Sequence, residues 1–185
     1  MKKRIGLLLC ALVLCGCAGQ DSGLSRALEL RARLNAAACE FTAVITADFD
    51  SYTQCFTLAC TVQADGTVDF EVEAPAEIAG ITGQVSASGG KLLFDDIALA
   101  FPLLADGRLS PVAAPWAMLR SLRSGYLNYT TVEGGCLCIA VDDTYESDAL
   151  HIDVWLDAAD LPQRSEILWQ GRKILTITLE NFAFL

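Results

Sequence analysis

The sequence has one histidine, His151, and two methionines, and after its first stretch it has no run of apolar residues long enough to cross a bilayer. A single histidine excludes a His-based metal pair, and no serine sits in a G-x-S-x-G elbow, so that hydrolase arrangement is excluded as well. Basic residues are few: 13 Lys and Arg stand against 23 Asp and Glu, a net charge of −10, and three of the 13 are Lys2, Lys3 and Arg4. Such a chain repels nucleic acid and anionic headgroups. There is no internal repeat and no low-complexity tract. What the chain does have is apolar substance: 53% of its residues are hydrophobic and its mean hydropathy is +0.40, enough for a large interior in one domain of this length.

The basic start is followed by an apolar stretch from Ile5 to Leu14, the make-up of a secretion signal. It ends in Leu14-Cys15-Gly16-Cys17, which resembles the bacterial lipobox: a leucine, a tolerant position, a small residue and the cysteine that is acylated. Cys17 fits because Gly16 precedes it, whereas Cys10 and Cys15 follow the bulky Leu9 and Leu14. The expected organisation is a lipoprotein signal peptide over residues 1–16, a lipidated Cys17 with a tether over 17–23, and one domain over 24–185. Fatty acylation (palmitate or a similar chain) then holds the chain at the extracytoplasmic face of the cell membrane.

Beyond the tether, Ala27, Leu30, Leu34 and Ala37 recur at helical steps, with Arg26, Arg31 and Arg33 on the other sides and Ser22 or Ser25 as N-cap. From Cys39 the period becomes two. Cys39, Phe41, Ala43 and Ile45 form one face of a strand, Phe56, Leu58, Cys60 and Val62 another, and Val68, Phe70 and Val72 a third. A two-residue Asp65-Gly66 turn would mix faces. A three-residue Ala64-Asp65-Gly66 turn pairs Val62 with Val68 and Cys60 with Phe70, with Gly66 left-handed. Further strands are expected near 81–87, 91–94, 97–101, 126–132, 136–141, 150–156, 164–169 and 174–184. One helix interrupts them: Ser110-Pro111 starts it, Trp116, Met118, Leu119 and Leu122 are its apolar positions, Arg120 and Arg123 suit its C-terminal end and Gly125 closes it.

This order, helix, strands, helix and a long C-terminal meander, is similar to that of the LolA/LolB superfamily of outer-membrane lipoprotein carriers and their lipoprotein relatives. The likeness is strongest in HIDVWLDAADLPQRSEILWQGRKILTITLENFAFL. It implies an α+β fold: a strongly curved antiparallel sheet of about ten strands, an unclosed half-barrel lidded by the N-terminal helix and a second short helix, whose concave face holds acyl chains or packs against them. The soluble carrier has no lipid anchor, so Cys17 points to a fixed lipoprotein relative.

On that basis the apolar cavity is expected between Phe41, Ile45, Phe56, Leu58, Phe70 and Val72 of the sheet and Leu30, Leu34, Trp116 and Leu119 of the helices. Small residues among the strands, Ala43, Gly83, Ala87 and Ala140, leave room. Two readings remain. In one, a non-enzymatic binding module takes an acyl chain, a lipid or a lipidated partner; in the other, an envelope lipoprotein fills the same interior with its own side chains and binds a protein partner. No catalytic residue, metal site or cofactor is expected. His151, with Asp153, Trp155 and Asp157, lies on the polar face of its strand, and the acidic stretch 142–148 reads as a solvated hairpin loop. Five cysteines follow Cys17. Cys39 and Cys60 would face each other across a loop formed by Asp48 to Ser51, a geometry open to a disulfide, and Cys136 and Cys138 share one strand face.

Overall fold

The computed structural model describes residues 22–49, 51–94, 97–105 and 108–185. The signal segment and Cys17 lie outside the described residues. Helix α1 (Ser22–Ala36) leads into strands β1 (Cys39–Asp48), β2 (Thr53–Val62), β3 (Val68–Ala74), β4 (Thr82–Ser86), β5 (Gly89–Phe94) and β6 (Ile97–Phe101). A small hairpin, β7 (Leu104–Ala105) and β8 (Arg108–Leu109), and a 3-10 turn (Pro111–Ala113) come before helix α2 (Ala114–Ser124). The meander β9 (Tyr126–Glu133), β10 (Cys136–Asp142), β11 (Leu150–Leu156), β12 (Pro162–Trp169) and β13 (Arg172–Phe184) completes the chain.

Eleven strands form one antiparallel sheet in the order β6-β5-β4-β3-β2-β1-β13-β12-β11-β10-β9. It is an unclosed half-barrel with two helices on one face. Consecutive strands are neighbours everywhere except at the centre, where β1 meets β13 and joins the two halves (Ala43↔Leu179, Ile45↔Ile177, Ala47↔Leu175). Asn181 is the extra residue of a bulge at this seam, with φ of 56°.

The β2–β3 register is the one that the three-residue turn predicts: Val62 faces Val68 and Cys60 faces Phe70, and Gly66 has φ of 90°. The β1–β2 register is a correction. Asp48 pairs with Thr53 across a loop of residues 49–52, so Cys39 faces Val62, Phe41 faces Cys60, and both thiols are free. Phe49 and Tyr52 stack at 5.0 Å and the Phe49 N–H donates to the Tyr52 carbonyl (3.0 Å), which sets the loop one residue later than expected. Ser110 differs too. It is the N-cap of the 3-10 turn rather than of α2, and its side chain makes no capping bond.

One side of the sheet carries the core. Ile45, Leu58, Ile139, Ile152, Leu156, Ile167 and Ile177 are fully buried there beneath Leu30 of α1 and Met118 and Leu119 of α2. Removing this surface from water is the main driving force for the fold. On α1 the buried stripe is Gly23, Ala27, Leu30 and Leu34. Its arginines are not simply solvated: Arg26 pairs with Asp160, and Arg31 donates to the carbonyls of Leu122 (2.7 Å) and Gly125 (2.8 Å). Arg31 thus satisfies carbonyls at the C-terminal end of α2 and ties the helices together. Burial pulls its pKa down from the ordinary value. Because every described element begins at or after Ser22, a chain starting at Ala18 keeps all of these contacts.

Candidate ligand groove

Nine of the ten residues expected around a cavity are buried: Leu30, Leu34, Phe41, Ile45, Leu58, Phe70, Val72, Trp116 and Leu119. Phe56 is half-buried against the same cluster. They are brought together as packing partners in one continuous core. Phe70 lies across Gly83, where an added Cβ would come within 2.4 Å of its ring and 2.6 Å of the Lys91 carbonyl oxygen. The small residue at position 83 is filled by that ring. Of the ten, Trp116 alone also lines the cavity beneath α2.

That cavity, about 240 Å³, lies at the margin of the core between α2, Leu150 of β11 and the Leu103–Leu109 hairpin. Trp116, Ala117, Arg120 and Ser121 form its roof, four residues that recur one turn apart along α2. Leu103, Leu109 and Leu150 are its apolar walls, and Ala87 and Asp143 complete it. The Ser121 hydroxyl is buried, with 1% of the residue exposed, and has no hydrogen-bond partner among the described residues. Leaving such a group unpaired costs about 1–3 kcal/mol. A shallower trough of about 570 Å³ shares Ala87, Trp116 and Arg120 with the cavity and is otherwise lined by polar residues, among them Asn35, Asp65, Ser86, Ser88, Arg123 and Ser124. The Arg120 guanidinium lies 5.2 Å above the Trp116 ring. Arg123 is engaged elsewhere, donating to the carbonyls of Gln63 and Ala64 in the β2–β3 turn.

The opposite face of the sheet holds two further polar clusters. Across β1 to β5 an open trough of about 620 Å³ is bordered by Thr42, Thr61, Asp69, Gln84 and Lys91, with Phe41 and Phe70 behind it. Gln63 and Gln84 occupy the two oxygens of Asp69 at 2.9 and 2.8 Å. On β11, His151 is half-buried rather than simply solvated: Nδ1 lies 2.7 Å from Asp142 and Nε2 3.3 Å from Asp153. Burial raises the Asp153 carboxyl above its usual range, with the neighbouring His151 acting in the other direction. The thiols of Cys39, Cys60 and Cys138 are buried and pushed up to about 11, about 12 and about 12, away from the thiolate that nucleophilic or metal-binding chemistry needs.

Sequence reasoning named Trp116 but missed Ser121, Arg120, Leu103 and Leu109 as lining residues of this cavity. The available signal was a lone hydroxyl, Ser121, inside an otherwise apolar helical stripe.

No family model and no curated protein matches the chain. Among solved structures, an uncharacterized conserved protein from Thermus thermophilus matches at 10% identity, covering 88% of this chain and 87% of its own, with a TM-score of 0.48. A LolA superfamily protein from Nitrosomonas europaea matches at 7% identity (86% and 93% covered, TM-score 0.44). The lipoprotein LppX from Mycobacterium tuberculosis matches at 14% (88% and 96% covered, TM-score 0.39). These are likenesses of strand and helix arrangement alone.

Proposed function

We propose that the chain is a non-enzymatic lipoprotein of the bacterial envelope, cleaved before Cys17 and held by its acylated cysteine at the extracytoplasmic face of the membrane, whose domain from residue 24 onward binds an acyl chain. The observation that carries the binding reading is the cavity of about 240 Å³ beneath α2, walled by Leu103, Leu109, Leu150 and Trp116. Its volume is below the usual range for whole small-molecule sites and suits part of one chain rather than a whole diacyl lipid. The chain starting at Ala18, purified from a bacterial host, is expected to carry co-purified lipid by native mass spectrometry. Ala117→Leu, which adds bulk to the cavity roof, is expected to empty it. Lipid-free protein, or lipid unaffected by Ala117→Leu, would reject this site.

A second reading has its own support. The sheet centre is filled by the protein's own side chains, with Ile45, Leu58 and Ile177 at 0% exposure, as an envelope lipoprotein that engages a protein partner through its outer surface requires. Lipid-free protein in the same experiment would favour it.

A further inference from the structure

The groove has chemistry at its rim that an acyl chain alone does not use. The chain is strongly acidic overall, yet the roof of the groove presents Arg120, and Arg123 stands one turn further along the same helix. Two acids line the same trough and cavity, each with one oxygen taken by its own loop: Asp65 accepts the Thr67 N–H at 2.9 Å and Asp143 accepts the Leu150 N–H at 2.8 Å. With Arg123 bound to the β2–β3 turn, Arg120 is the rim cation that no carboxylate among the described residues pairs with; its guanidinium rests on the Trp116 ring. Ser121, next to it in sequence, lines the same cavity, and its hydroxyl is buried with no hydrogen-bond partner among the described residues. A cation at the rim, an unsatisfied hydroxyl inside and leucine walls beyond them form a gradient from charged to polar to apolar.

We propose that the ligand of this groove is a single-chain amphiphile with an anionic, phosphate-type head: the tail lies against Leu103, Leu109 and Leu150, an oxygen at the head–tail junction bonds to Ser121, and the head is held by Arg120. This rests on the acyl-binding reading above and adds the headgroup class. On the remaining sides of the trough Ser86 and Ser88 share one hydrogen bond at 2.8 Å, which leaves one of their two hydroxyl protons for a phosphate oxygen, while the Ser124 hydroxyl donates to the Arg120 carbonyl at 3.0 Å. A planar guanidinium is the side chain best suited to a phosphate, and its ring contact holds it in place without cancelling its charge.

The test uses the chain starting at Ala18 and two probes with the same tail, decyl phosphate and decyl maltoside, each titrated below its micelle concentration and followed by native mass spectrometry. Decyl phosphate is expected to bind at least about tenfold more tightly than decyl maltoside. Arg120→Gln is expected to remove most of that preference by weakening decyl phosphate far more than decyl maltoside, in a protein that still unfolds cooperatively on heating, and Ser121→Ala to weaken decyl phosphate several-fold. Inorganic phosphate at tenfold excess is expected to leave decyl phosphate bound. Equal binding of the two probes, or a preference that survives Arg120→Gln, would overturn the headgroup assignment while the acyl site stands. Displacement by inorganic phosphate would overturn it in favour of a free-phosphate site. Failure of both probes to bind would overturn the acyl reading together with it.

Discussion

Each cysteine of the domain has a reactivity set by where its side chain points. Cys55 is exposed on the outer face of β2, 3.7 Å from the Thr46 hydroxyl, whereas Cys39, Cys60 and Cys138 are buried with raised pKa values. Iodoacetamide at pH 8 is therefore expected to label Cys55 quickly and those three only after denaturation, which peptide mapping would reveal; rapid native labelling of Cys60 would contradict the packing described. Phe70 and its neighbours test the same alternation. Phe70→Asp buries an unpaired charge and is expected to cost several kcal/mol, at least about 2, while Glu71→Lys on the exposed face changes stability by at most about 0.5 kcal/mol. Asp153 adds a pH dependence. Its raised carboxyl faces His151 on its own strand, Cys138 on β10, Tyr129 and Glu133 on β9, and Glu166 on β12. Between its ordinary and raised values the native state holds more proton than the unfolded one, so stability falls as pH rises through that window. Asp153→Asn should thus gain stability relative to the wild type at pH 7 but not at pH 3, by under about 1 kcal/mol because the group is partly exposed. The face of each of these residues was legible in the period-two pattern, but their electrostatic partners, which come from other strands, were not.

Helix α2 is where the two readings of the interior separate. Leu119 is 2% exposed and packed in the core, so Leu119→Trp is expected to destabilise by about 1–3 kcal/mol through overpacking. Ala117, four residues and about one turn before Ser121, lines the cavity instead, so Ala117→Leu should be tolerated with a loss below about 1 kcal/mol. Denaturant unfolding of the two variants would check this, and equal losses would mean that no usable space lies beneath Ala117. The helix itself was readable from its apolar spacing, Pro111 and Gly125. Its division into packed and cavity-facing positions was not, because that depends on how closely the Leu103–Leu109 hairpin approaches it. Likewise the turn at Gly66 could be read, since only one loop length kept both strands' apolar residues on one face. The β1–β2 loop could not: loops of residues 48–51 and 49–52 have the same length, and the Phe49–Tyr52 stack decides between them.

For the molecule as a whole, anchoring is the first property to test. Cys17→Ala is expected to leave an unprocessed precursor and to abolish metabolic labelling with a fatty acid, and labelling that survives would remove Cys17 as the anchor. The sequence by itself determined what local physics fixes: an acidic chain, a helix with one apolar stripe, strands with one buried face, short antiparallel links and a second helix among them. From those it follows that one sheet face must be covered by helices, since each element has a single apolar side to bury. Only the tertiary structure decided what depends on segments far apart in the chain. The β1–β13 seam joins residues such as Ala43 and Leu179, and alternation alone names no partner for either. Arg31 became a tie to α2 rather than a solvated charge because Leu122 and Gly125 end that helix beside it. The apolar positions filled one another at the sheet centre and left space at its margin, because the volume left between elements depends on their separation, which a one-dimensional pattern of apolar and polar residues does not contain.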